Sequence, residues 1–181
     1  MRAGSDEVVP SLNDMVVKAS AIALREHPRA NGAYRDGRLE LYERVNVGVA
    51  VAAQDALVVP TVFDADHKGL SQIASETRAL AQRVRDGTVT PPELSGGTFT
   101  VSNLGMFGID SFAAVINPPQ AGILAVGKVA ERAVIRDGEV ASAHLMPLNL
   151  ACDHRILYGA EGARFLDRIR GLLEEPLGLA L

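Results

Sequence analysis

The 181-residue chain contains one cysteine and no tryptophan, and aromatic side chains make up only 4% of it. The lone thiol, Cys152, has no intrachain disulfide partner, so a reducing compartment is the expected setting. With so few aromatics, the 48% of residues that are hydrophobic must build a core mainly from Val, Leu, Ile and Ala. An excess of positive charge is also lacking: 18 Lys and Arg stand against 22 Asp and Glu, for a net charge of −4. That excludes a broad basic field for nucleic acid or an anionic membrane surface. No apolar run approaches the roughly 20 residues that a membrane-spanning helix needs. Met1 to Pro10 also lacks the cationic start and apolar run of a secretory leader. The expectation is one soluble domain over residues 11–181, preceded by a disordered or extended segment over 1–10, with neither a nucleic-acid nor a membrane partner.

Ser11 with Asp14 three places later reads as a helix start, and Leu12, Met15, Val16, Ala19, Ile22 and Ala23 follow at helical spacing. That helix should stop before Pro28, with Asn31-Gly32 as a turn. Val45, Val47, Val49 and Val51 alternate with smaller residues, and Leu57 to Phe63 resumes the pattern beyond Gln54-Asp55, which predicts a β-hairpin. Leu70, Ile73, Ala74, Leu80, Ala81 and Val84 mark a second amphipathic helix ended by Gly87. From Thr98 onward the pattern is mainly β: Thr98 to Val101, short apolar runs at Phe112–Ile116 and Ile123–Val126, and a hairpin turn at Asp137-Gly138. Leu145 to Leu150 leads into Cys152-Asp153-His154. A last helix from about Ala160 carries Phe165, Leu166, Ile169, Leu172 and Leu173 and ends at Pro176. The sum is a mixed α/β layer structure.

Of four histidines, His154 sits in a loop between a strand and a helix, where catalytic groups tend to lie. His27 and His67 read as solvated surface groups and His144 as an ordinary strand residue. Asp64, Asp66 and His67 cluster in sequence, but no His pair at helical spacing and no Cys pair joins them, so no metal site is expected. Gly105-Met106-Phe107-Gly108 lacks the Lys-Ser/Thr ending of a phosphate loop, and Ser102 lies in no Gly-x-Ser-x-Gly elbow.

Three ordered segments carry more information together: Gly96 to Gly108 (GGTFTVSNLGMFG), Ile116 to Gln120 (INPPQ) and Asp153-His154-Arg155. They resemble the inner-core acyltransferase subunit of 2-oxo acid dehydrogenase complexes, and the acetyl-transferring members of that family most. The resemblance implies a chloramphenicol acetyltransferase-like two-layer sandwich with a mixed β-sheet and covering helices. It also implies acyl transfer between a dihydrolipoyl arm and coenzyme A at the boundary between two subunits of a trimer. The family's catalytic histidine matches His154 and its oxyanion-stabilising hydroxyl matches Ser102. Coenzyme A contacts are implied at Ser102, Asn103, Gly105 and Asn117. The implied partners are further copies in a trimer or a cage of trimers, a lipoyl domain carried outside this sequence, and the complex's 2-oxo acid decarboxylase and dihydrolipoyl dehydrogenase. The implied location is the cytoplasm in a bacterium and the mitochondrial matrix in a eukaryote.

The chemistry of the residues agrees with that assignment. A thiol with a pKa of about 8.5 is mostly protonated at neutral pH and needs a base such as His154 to become a nucleophile. Attack on a thioester creates an oxyanion, and a hydroxyl such as that of Ser102 can lower the barrier by roughly 2.7–4 kcal/mol if preset. Two departures from the family pattern stand out. Tyr158 replaces the usual Asp four residues after the histidine, and a strand and helix that normally precede Ser11 are not in the sequence. These departures keep open the alternative of a catalytically weak scaffold subunit; a free-standing acetyltransferase also fits the fold, but fits the motifs less well. The uncharged tail Pro176 to Leu181, with three leucines, is expected either to strap onto its own subunit or to dock into a neighbour.

Overall fold

A computed structural model describes residues 8–53 and 56–179. The expected disorder of residues 1–10 falls largely on 1–7, outside the described residues; Val8 to Pro10 have no regular structure. Helix α1 (Leu12–Glu26) begins where a Ser and an Asp can satisfy its free amides: Asp14 Oδ2 accepts from the Ser11 N–H at 2.8 Å, and Ser11 Oγ accepts from the Asp14 N–H at 3.3 Å. Its buried stripe, including Val16, Val17, Ala19, Ala23 and Leu24, is wider than a surface helix needs because α1 is the middle helix of its layer.

Past Pro28 the chain makes a 3₁₀ turn and a hairpin, β1 (Gly32–Arg35) with β2 (Arg38–Leu41). This corrects the expected turn at Asn31-Gly32. The reversal comes at Asp36-Gly37, which adopt φ of 50° and 78°, the left-handed pair that a two-residue hairpin loop requires. The expected valine hairpin is present in four pieces: β3 (Val47–Val49), β4 (Val51–Ala52), β5 (Leu57–Val58) and β6 (Thr61–Val62). β4 pairs with β5 and β3 with β6, and Ala50 turns its N–H to Val101 at the break. Gln54-Asp55, the expected turn, lies outside the described residues. Helix α2 (Leu70–Arg85) buries Ile73, Ala74, Leu80 and Val84.

β7 (Phe99–Asn103) and β8 (Gly122–Val126) form the centre of the fold and are almost wholly buried, as parallel strands with both faces covered must be. The segment Phe112–Ile116, apolar enough to suggest a strand, has no regular structure; its residues alternate between exposed and half-buried along a loop. β9 (Ala130–Arg136) and β10 (Glu139–Leu145) form the expected hairpin about Asp137-Gly138, separate from the main sheet and with Ile135 and Val140 exposed. β11 (Leu148–Cys152) returns to the sheet edge, and α3 (Gly159–Glu174) closes the fold.

The main sheet has the order β11-β8-β7-β3-β6. The β8-β7 and β7-β3 pairs are parallel, and the outer pairs β11-β8 and β3-β6 are antiparallel. α3 packs by β11, α1 by β7 and β3, and α2 by β6, so the helices form one layer over the mixed sheet. At the C-terminal end, Leu179 is 1% exposed and joins the core of its own subunit, whereas Leu177 is 86% exposed. The strap reading of the tail therefore holds at Leu179. Ala180 and Leu181 lie outside the described residues.

Candidate active site

Ser102 is the fourth residue of β7 and is buried, yet it lines a cavity of about 550 Å³ between β3, β4, the start of α1 and one side of α2. Asn103 follows it at the strand end. Its Nδ2 donates to Asn13 Oδ1 at 3.0 Å, and its Oδ1 accepts from the Gly105 N–H at 2.9 Å. Asn103 thus ties the loop after β7 to the first turn of α1 and fixes the cavity's mouth, where Met106 and Phe107 stand exposed. Gly105, expected to touch coenzyme A, is needed for another reason: a Cβ there would lie 2.8 Å from the carbonyl oxygen of Gly127, so the loop can lie against β8's end only with glycine.

His154 is exposed, two residues past β11, in a turn with several anchors. The Asp153 N–H donates to Ala121 O, and Asp153 O accepts from the N–H groups of Ile156 and Leu157, whose side chains are buried. The Asp153 carboxylate receives Arg155 Nε at 2.9 Å and its terminal nitrogen at 2.6 Å. This paired guanidinium holds the Asp153 carboxyl below the usual carboxylate range. The Arg155 guanidinium lies 4.4 Å from the Tyr34 ring centroid, and Arg29 lies 5.3 Å from that of Tyr158. Two of the chain's three tyrosines are thus each faced by an arginine, one of them Arg155 next to His154.

Tyr158 itself occupies the N-cap of α3, a place where Asp, Asn, Ser or Thr would bond the first free amides. The Glu161 carboxylate accepts from the Tyr158 N–H at 3.4 Å and from Arg29 at 3.3 Å, so a neighbouring acid and a distant arginine hold the cap region. Cys152 Sγ faces Gly162, where an added Cβ would sit 3.1 Å away. Burial pushes the Cys152 thiol up, away from a reactive thiolate.

Register decides how these parts relate. Ser102 pairs with Ala125 of β8, which pairs with Asn149 of β11, and Asp153 is still bonded to Ala121 at the far end of the same ladder. His154 thus lies two strands across and five residues along from Ser102, roughly 15 Å or more away at about 3.3 Å per residue and 4.8 Å per strand. That backbone separation is wide for two groups that must each lie about 3 Å from their own target in one reacting thioester. Asn117, exposed in the loop before β8, belongs to the His154 end: Gln120 bonds back to it and Ala121 bonds to Gly32. The structure places Ser102, Asn103 and Gly105 at one end of the sheet and Asn117 and His154 toward the other. His27 corrects the reading of it as a solvated group: it is half-buried, edge-on to Phe165 with ring centroids 5.9 Å apart. No group of three metal-binding side chains occurs among the described residues, and no helix among them is long and apolar enough to cross a membrane.

Comparison with known proteins gives the fold a lineage. The family described as 2-oxoacid dehydrogenases acyltransferase (catalytic domain) matches residues 2–181. The chain belongs to this family. It is 48% identical over 174 residues to dihydrolipoyllysine-residue acetyltransferase component 3 of the mitochondrial pyruvate dehydrogenase complex of Arabidopsis thaliana, covering 94% of this chain and 32% of that protein. The chain thus spans about a third of the length of that curated relative. Two solved structures, the cubic core of a pyruvate dehydrogenase multienzyme complex and the dihydrolipoamide acetyltransferase of Azotobacter vinelandii, each match with a TM-score of 0.91 and 33% identity over 96% of this acyltransferase chain and 72% of theirs. In the Azotobacter enzyme a serine, a histidine and an asparagine were investigated for roles in the catalytic mechanism, and they are spaced there as Ser102, His154 and Tyr158 are here. A chloramphenicol acetyltransferase, 18% identical with a TM-score of 0.55, shares the fold.

Proposed function

We propose that this acyltransferase domain moves an acetyl group between a dihydrolipoyl thiol and coenzyme A, in a site formed by Ser102 of one subunit and His154 of the next. The observation that supports the reading is the register: Ser102 and His154 stand at opposite ends of one sheet, and a second copy would bring the Ser102 of one subunit to the His154 of the next. The spacing shared with the Azotobacter serine and histidine supports the same pair.

In the forward direction His154 takes the proton from the coenzyme A thiol, and the thiolate attacks the carbonyl carbon of the acetyl-lipoyl thioester. The oxyanion that forms accepts a hydrogen bond from the Ser102 hydroxyl. Collapse breaks the bond to the lipoyl sulfur, which takes the proton back from the histidine. The Asp153-Arg155 pair and the buried Ile156 and Leu157 hold the base's turn in place. Asn103 and Gly105 shape the loop beside the donor, and Asn117 belongs to the histidine's half of the site.

The unit of function on this reading is a trimer, and trimers joining into a cage agree with the cubic core among its structural relatives. Lipoyl domains and the decarboxylase and dehydrogenase of the complex are the partners such a core serves. The place of work is the cytoplasm of a bacterium or the mitochondrial matrix of a eukaryote. The direct test is transfer from acetyl-coenzyme A to free dihydrolipoamide by the purified chain, with a small hydroxyl acceptor in parallel. Thioester formation on dihydrolipoamide supports the reading, acetylation of the hydroxyl compound alone replaces it with a free-standing acetyltransferase, and no transfer to either leaves a scaffold.

A further inference from the structure

The backbone that carries His154 is held at three points by one neighbouring segment, residues 29–34. At the base, the Ala121 N–H donates to Gly32 O at 2.9 Å and Ala121 O accepts from the Asp153 N–H at 2.8 Å, so one residue ties the segment to the turn. On one side the turn's Arg155 lies over Tyr34 of β1, 4.4 Å from the ring centroid. On the other side the direction is reversed: Arg29 lies 5.3 Å from the ring centroid of Tyr158, at the start of α3. Both distances fall within the roughly 6 Å at which a cation is drawn to an aromatic face. Arg29 also reaches Glu161 Oε1 at 3.3 Å, and Glu161 Oε2 accepts from the Tyr158 N–H. The segment can bear this because its backbone is fixed: Ala30 is buried, and the Asn31 side-chain amide donates to Tyr42 O at 2.8 Å and to Arg44 O at 3.0 Å.

We infer that Arg29 is a positioning residue for the base: acting through Tyr158 and Glu161, it holds the start of α3 and with it the turn that aims His154. The inference rests on the acetyl-transfer reading, in which His154 is the base, and adds a residue that lies outside the three sequence motifs. Tyr158 has no carboxylate or amide with which to bond the free amides at the N-cap. In the Azotobacter enzyme an asparagine stands at that spacing from the histidine. What a capping side chain would do from within the helix, Arg29 does from outside it, gripping a ring and an acid. His154 is exposed, so its aim depends on the turn between Asp153 and Tyr158. A shift of about 1 Å at a reacting group can cost up to about 100-fold in rate, so a clamp on this turn acts on turnover rather than on substrate affinity.

The experiment compares Arg29→Met, Arg29→Lys, Tyr158→Leu and the R29M/Y158L double variant with the full chain, by acetyl transfer and by amide hydrogen exchange read by mass spectrometry. Arg168→Met is the control, because Arg168 pairs with Glu26 at 2.6 Å further along the same helix. Arg29→Met is expected to lower kcat roughly 10-fold with the KM for coenzyme A within about twofold. It should also speed exchange of the Ile156 and Leu157 amides, which donate to Asp153 O, while the rest of the fold exchanges as before. Tyr158→Leu should act to a similar extent, and the double variant should be no slower than the worse single one, as two residues acting through one contact require. Arg29→Lys keeps a cation over the ring and should stay within about threefold of the starting protein, and Arg168→Met should match it. Unchanged exchange of the turn in Arg29→Met overturns the inference, as do single effects that multiply in the double variant, or a loss of rate matched by faster exchange throughout the fold. A chain that transfers no acetyl group yet shows the local change in exchange loses the catalytic reading and keeps Arg29 as the clamp of the turn.

Discussion

The two ends of the central sheet are built differently. At the Ser102 end the functional group is buried on a central parallel strand, and its surroundings are shaped by backbone approach and side-chain amides: Gly105 against Gly127, Asn103 between Asn13 and Gly105. At the His154 end the group is exposed in a turn after an edge strand, and it is framed by charge: Asp153 with Arg155, Arg155 over Tyr34, Arg29 over Tyr158. An oxyanion donor must be fixed before the charge develops, so rigid burial suits it. On the shared-site reading, the base reaches a substrate held by another subunit and so has to project from the surface, where a network of ion pairs can orient it without enclosing it.

The sharpest way to break this comparison is to remove each group in turn. His154→Ala should lower acetyl transfer by up to about 10⁴-fold with the melting temperature little changed, because an exposed turn residue contributes little packing. A large loss of stability with most of the turnover retained would make His154 structural. Ser102→Ala should reduce kcat by roughly 100- to 1000-fold with little change in the KM for coenzyme A. A loss confined to KM would assign the hydroxyl to binding instead.

The charged frame gives a pH prediction. Arg155 holds the Asp153 carboxyl low, so its contribution is fully present above the ordinary carboxylate pKa of about 3.9 and is lost only as pH falls through the lower folded value. Between pH 5 and 9 the turn should therefore keep its charge, and the acid side of the rate profile should show one ionisation. Asp153→Asn should preserve the profile's shape and lower its height. A second ionisation on the acid side that vanishes in Asp153→Asn would contradict the account.

Tyr158→Asp should change turnover by less than about tenfold, because Glu161 and Arg29 already hold the start of α3. A gain of several hundredfold would show that the tyrosine has weakened the catalyst and would favour the scaffold reading.

Much of this was legible in the sequence, and the exceptions have physical causes. α1 was legible because its cap and its periodicity agree, and the β9-β10 turn because Asp-Gly adopts left-handed geometry at little cost. The same signal stood at Asp36-Gly37 and outranked Asn31-Gly32, but the short β1 and β2 lack the alternation that marks a strand. Phe112–Ile116 looked like a strand by composition; nothing local distinguishes a loop laid against the fold from a strand within it. Motifs single out Ser102 and His154 as candidates, but their separation is not legible in the sequence, because it depends on register across β7, β8 and β11.

The central claim is that each site takes Ser102 from one subunit and His154 from its neighbour, and mixed assembly tests it most directly. Chains carrying His154→Ala and chains carrying Ser102→Ala are each purified, then dissociated, mixed in equal amounts and reassembled. Each variant alone should be nearly inactive. Random mixing within a ring puts an intact serine beside an intact histidine at about a quarter of the boundaries, so the mixture should recover about a quarter of the activity of the unaltered chain. Recovery of that size supports the shared site; mixed assemblies, verified by mass, that stay as inactive as their parents would contradict it.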